Sequence, residues 1–171
     1  GRLIGTNTDV LGFIQSLKKL KFSPLDKTIG MLGAGGSARA LIAGLADAGA
    51  SKILIHNRTV ERAKKIEFEF SKKFPNTKIK SVSLDNIKRS FLDLLVNTTT
   101  VGMTSDASPI DLTQSKKKEH VVDIIYSPSK TKLLREANNL EIPNINGLRM
   151  LLYQGCEAFK FWTGVPAPED V

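Results

Sequence analysis

The chain has 171 residues, of which 41% are hydrophobic and 25% charged, enough for one globular core under an ordinary charged surface. Its longest apolar stretches, such as 41–46 and 53–55, fall far short of the roughly 18–20 residues that cross a bilayer, and no secretion-signal pattern is visible. The net charge of +8 comes in small lysine groups, among them Lys64-Lys65 and Lys116-Lys117-Lys118, without interleaved aromatics; this reads as a solvated surface rather than a nucleic-acid interface.

Along the chain, apolar periodicity alternates between helix-like and strand-like segments. Val10, Phe13, Ile14, Leu17 and Leu20 share one face of a helix over 9–21, with Asp9 as its N-cap. Thr28-Ile29-Gly30-Met31-Leu32 is a short buried strand within 27–33, followed by a helix over 37–48 that Gly49 ends. A second strand covers 52–57, and a third helix covers 60–74, closed by Pro75. Residues 79–82 form a third strand, 84–90 a turn or short helix, and 91–97 a fourth strand. The rest reads as a strand over 120–126, a helix over 131–139, a short strand over 142–145 and an amphipathic helix over 147–163. Alternation with short connections predicts a single α/β domain, a Rossmann-like three-layer αβα sandwich with a mostly parallel sheet.

Between the first strand and the second helix stands Gly33-Ala34-Gly35-Gly36-Ser37-Ala38, a G-x-G-x-x-A pattern. Gly33 permits the tight turn, Gly35 lets backbone approach a pyrophosphate, and Ala38 lets the helix pack close to the strand. Free N–H groups over Gly33–Ser37 and the helix dipole then favour phosphate. The second strand ends without the carboxylate that binds a ribose 2′-hydroxyl; it ends in Asn57-Arg58-Thr59, with Arg62 one turn on. Two guanidinium groups four residues apart suit a 2′-phosphate, with Asn57 and Thr59 adding hydrogen bonds, so the expected cofactor is NADP(H). His56 and His120 lack partners at ligand spacing, so no metal site is expected, and the single cysteine, Cys156, excludes an internal disulfide and fits a reducing, cytoplasmic compartment.

Further segments carry a resemblance. Asn7-Thr8-Asp9, Asn97-Thr98-Thr99 through Gly102-Met103, Asp123-Ile124-Ile125-Tyr126-Ser127-Pro128, and Asn146-Gly147-Leu148-Arg149-Met150-Leu151 with Gln154 join the glycine turn and Asn57-Arg58-Thr59. Together they resemble the C-terminal, cofactor-binding domain of the shikimate dehydrogenase family. The resemblance implies NADPH-dependent reduction of 3-dehydroshikimate to shikimate, a step of aromatic amino-acid and chorismate synthesis. By the same resemblance, Asp9 is catalytic, the acidic member of a Lys–Asp pair. Asn7, Tyr126 and Gln154 lie near substrate, and Thr98, Gly147 and Met150 border the nicotinamide and its ribose. Read without it, Asp9 is a helix cap and Gln154 a polar residue on the outer side of the last helix.

The family's catalytic lysine and substrate-binding serines belong to an N-terminal domain with no counterpart in these 171 residues. The expectation is an NADP(H)-binding domain over 1–171 whose helices 1–21 and 147–171 face that missing domain, and which alone turns over shikimate poorly. A quinate/shikimate-type dehydrogenase of other substrate preference and a non-catalytic NADP-binding module are the alternatives.

Overall fold

The computed structural model describes residues 5–168. Its first helix, α1 (Asp9–Lys19), precedes β1 (Thr28–Leu32), α2 (Gly36–Asp47), β2 (Lys52–His56), α3 (Val60–Lys73) and β3 (Lys78–Ser81). The second half contains α4 (Leu84–Arg89), β4 (Leu94–Asn97), β5 (Val121–Asp123), α5 (Lys132–Asn139), β6 (Asn144–Ile145) and α6 (Leu148–Thr163). The strands form one sheet in the order β3-β2-β1-β4-β5-β6. Every pairing is parallel, so the expected "mostly parallel" sheet is wholly parallel among the described residues. No two consecutive strands are joined by a tight turn, and crossover connections return each strand in the same direction.

Period-two alternation divides the core. Ile29, Met31, Ile53, Ile55, Leu94, Val96 and Val122 point to one face, where Phe13 and Leu17 of α1, Leu41 and Leu45 of α2 and Ile66 of α3 cover them. Leu32, Leu54, Leu95 and Val121 point to the other, against Ile87 of α4 and Leu133 and Leu134 of α5. The connection between β4 and β5 contains no helix; its buried Ile110 and Leu112 fill that second layer instead.

Several expected elements differ in detail: α1 ends at Lys19, and the strand expected over 142–145 keeps only Asn144–Ile145. Asp9 is not the N-cap of α1: Thr8 holds that position, and the Asn7 side chain accepts the Asp9 N–H at 2.9 Å. The Asn7 turn covers the first free donor, so the helix begins at Asp9 and the carboxylate is released from capping. In the fourth strand, Leu92 is fully buried but forms only one bridge, with Lys118, before the ladder starts at Leu94. The fifth strand stops at Asp123, whose carboxylate accepts the Ile125 N–H and turns the backbone off the ladder.

Helices α1 and α6, from opposite ends of the chain, pack against each other. Gly12 makes the approach possible: a Cβ there would sit 2.6 Å from the Gln154 N and 2.7 Å from the Met150 carbonyl oxygen.

Candidate active site at the carboxyl edge of the sheet

Strand order reverses between β1 and β4, and their carboxyl ends open the crevice in which parallel α/β sheets bind ligands. Gly33 leaves β1 at φ +111°, a left-handed conformation that a side chain disfavours, and a Cβ there would collide with Thr98 Oγ1. Thr98 closes this side of the crevice: its N–H and its hydroxyl both donate to the Leu32 carbonyl at 2.8 Å. Gly35 is the N-cap of α2, and no side chain caps that helix. Nothing stands within 4 Å of where a Cβ of Gly35 or Gly36 would be. Ala34 and Ala38 are buried beneath, and Ser37 is half-buried at the rim. An open helix N-terminus with no side chain over it is the cradle a pyrophosphate requires, so the residues present fit that group.

At the end of β2, Asn57 is held by its own turn: its amide donates to the Thr59 carbonyl at 2.8 Å. Thr59 is the N-cap of α3 but makes no side-chain capping bond. Arg58, Thr59 and Arg62 are exposed, and among the described residues neither arginine is in an ion pair. Nearby Arg39 is committed, pairing with Glu69 at 2.5 Å and lying 5.1 Å over the Phe70 ring. Among the described residues, Arg58 and Arg62 are thus left without an ion-pair partner.

A pocket of about 200 Å³ brings together six residues singled out in the sequence: Asp9, Ser37, Tyr126, Gly147, Met150 and Gln154. They come from both ends of the chain. Gln154 is half-buried against α1 rather than on the outer side of α6. Gly147 is buried where α6 meets the strand ends: a Cβ would strike the Ile124 carbonyl, and its N–H donates to the Ile125 carbonyl at 3.1 Å. Asn7 is outside the pocket, and the structure ties it only to the start of α1. Among the described residues, no lysine lines the pocket.

At the carboxyl end of β5 lies a polar hub not foreseen from the sequence. Asp123 is fully buried. Its Oδ1 accepts from the Asn97 amide at 3.0 Å and the Ile125 N–H at 3.2 Å, and its Oδ2 accepts from the Thr131 hydroxyl at 2.7 Å. Burial pushes the carboxyl pKa above the usual range, against the opposing pull of these three bonds. The available signal was a carboxylate inside the apolar run Val121-Val122-Asp123-Ile124-Ile125.

A larger cavity, about 600 Å³, opens at the opposite, amino edge of the sheet beside Leu112, Leu140 and Ile142. It stands away from the strand carboxyl ends, and the ammonium of Lys118 on its wall is already held by three backbone carbonyls. Lys118, expected among solvated lysines, is in fact buried.

Residues 16–149 match the family model described as shikimate / quinate 5-dehydrogenase, and residues 147–171 match the shikimate 5'-dehydrogenase C-terminal domain. A shikimate dehydrogenase (NADP(+)) of Geobacter sulfurreducens is 43% identical over 99% of this chain, which spans 61% of that protein's length. The Thermus thermophilus shikimate 5-dehydrogenase, solved with NADP(H) and shikimate, superposes with a TM-score of 0.83 at 36% identity, covering 98% of this chain and 60% of that one. A 5-ketofructose reductase of a Gluconobacter strain superposes at 0.86 with 34% identity, covering 98% of this chain and 61% of that one. With a wholly parallel sheet, the glycine turn at its centre and a family match over most of its length, the chain belongs to the shikimate / quinate 5-dehydrogenase family.

Proposed function

We propose that this chain is the NADP(H)-holding part of a cytoplasmic shikimate dehydrogenase, which reduces 3-dehydroshikimate to shikimate. The observation that carries the reading is the convergence of Asp9, Tyr126 and Gln154 with Ser37 of the glycine turn, Gly147 and Met150 in one pocket, while two arginines without an ion pair among the described residues follow β2. Gly33, Ala34, Gly35, Gly36 and Ser37 present backbone to the pyrophosphate. Arg58 and Arg62 clamp the 2′-phosphate, with Asn57 and Thr59 beside them. Thr98, Gly147 and Met150 form the wall for the nicotinamide and its ribose. Bound NADPH supplies the hydride.

Tyr126 and Gln154 offer hydrogen bonds to substrate hydroxyl groups, and Asn7 holds the backbone that presents Asp9. Asp9 orients an ammonium that delivers the proton to the carbonyl oxygen. That lysine comes from outside these residues, since none lines the pocket. A second domain of the same enzyme supplies it and packs on the outer faces of α1 and α6. Consistent with this, none of the residues of α6 is fully buried, and Leu148, Leu152, Phe161 and Trp162 are exposed along it. Residues 1–4 and 169–171, the ends of the two ranges assigned to this contact, lie outside the described residues.

The Gluconobacter neighbour favours a second reading, in which the same frame reduces a different polyhydroxylated ketone. A substrate panel including shikimate, quinate and 5-ketofructose, run on the two-domain enzyme, separates the two.

Calorimetric titration of the chain with NADPH and NADH tests the cofactor assignment. NADPH is expected to bind tighter, and the double variant Arg58→Ala/Arg62→Ala to lose about tenfold or more of NADPH affinity while leaving NADH unchanged. Tighter binding of NADH would overturn the arginine assignment. The same preparation is expected to show no appreciable shikimate oxidation, and robust turnover would refute the need for an external lysine.

A further inference from the structure

We propose that Asp123 is a positioning residue for the nicotinamide end of the site, holding in register the two loops that carry Thr98 and Tyr126. The inference rests on the NADP(H) reading and adds to it a residue that touches neither cofactor nor substrate.

A carboxylate with no exposed surface is tolerated only when donors surround it, and Asp123 has three. They come from different segments. Asn97 ends β4, Ile125 belongs to the loop after β5, and Thr131 is the N-cap of α5, where its hydroxyl also receives the Leu134 N–H. Each partner is engaged further. The Asn97 side-chain Oδ1 accepts both the Thr99 N–H at 3.0 Å and the Thr99 hydroxyl at 2.7 Å, fixing the turn on which Thr98 leans against Gly33. On the other side, Ile125 accepts the Gly147 N–H and precedes Tyr126, so the same carboxylate sets where α6 begins and where the tyrosine stands. An apolar residue would fill the volume but tie none of these segments together.

The adenosine end is built elsewhere. Asn57, Arg58 and Arg62 follow β2, which lies on the other side of β1 from β4 and β5. Loss of the hub should therefore disturb one end of the cofactor and spare the other, whereas general destabilisation would affect both.

Calorimetry on the 171-residue chain uses two probes: NADPH, and adenosine 2′,5′-bisphosphate, which has the 2′-phosphate but no nicotinamide. Asp123→Ala is expected to weaken NADPH about tenfold and the bisphosphate less than about twofold. Asp123→Asn keeps an acceptor for Asn97 and Ile125 and should fall in between. Should Asp123→Ala fail to fold, Thr131→Val removes a single donor from the same carboxylate and is expected to show the same selective loss. Parallel weakening of both probes, or no change in NADPH affinity, would overturn the proposal. Failure of the unmodified chain to bind either probe would overturn the NADP(H) reading, and the role of Asp123 with it.

Discussion

Lys118 shows how much one side chain can depend on its surroundings. Its ammonium has no carboxylate partner among the described residues; it donates to the carbonyls of Lys88 at 3.2 Å, Ser90 at 2.8 Å and Lys116 at 2.9 Å. Burial, with Lys116 nearby, pushes its pKa down to about 8. Between that pH and the ordinary lysine range the folded chain releases this proton while the unfolded chain keeps it, so stability rises with pH across the window. Replacing Lys118 by Met is expected to lower stability at neutral pH by about 1–3 kcal/mol, because carbonyls lose their donor, and to abolish that rise. Urea unfolding of both proteins from pH 7 to 10 checks this, and an identical slope in the variant would sink it. Lys116, Lys117 and Lys118 are chemically alike in sequence. The bridge between Leu92 and Lys118 and the bond from the Lys116 N–H to the Lys88 carbonyl set which one goes inside. Asp123 was likewise visible as an odd residue in an apolar run, but its donors Asn97 and Thr131 are remote from it in the chain.

Among elements, the contact between α1 and α6 reverses a local expectation. Gly12 lies inside a helix, where alanine is ordinarily better by about 1 kcal/mol. Here the added Cβ would meet backbone atoms of α6, which cannot swing aside as a side chain can. Gly12→Ala is therefore expected to destabilise by about 1–3 kcal/mol, and to weaken NADPH binding as Met150 and Gln154 are pushed outward. A higher unfolding midpoint for the variant would contradict the packing described. Most elements agree with their sequence periodicity to within a residue or two, since strands β1 and β2 and helices α2 and α3 are set by local alternation and by Gly49 and Pro75. Strands β4 and β5 are shorter than their apolar runs, because apolar character reports burial whereas a strand requires a paired ladder.

At the scale of the whole molecule, the sheet is covered on both faces while the outer side of α6 is bare. Phe161 is 52% exposed and Trp162 79%. Such surface contributes little to the stability of this domain, so Phe161→Ser/Trp162→Ser is expected to shift unfolding by less than about 0.5 kcal/mol while reducing binding of a hydrophobic dye. A large loss of stability would mean that α6 is anchored through this face and would count against a second domain docking there. The sequence by itself determined the order of elements, the glycine turn and the arginine pair, because periodicity, turn geometry and charge are properties of neighbouring residues. Only the tertiary structure decided that Asp9 and Gln154 share a pocket, that Asn7 frees Asp9 from capping, and that Asp123 and Lys118 are buried with their bonds satisfied. These depend on how closely α6 can approach α1 and on which distant groups complete a buried charge, and both are settled when the layers pack.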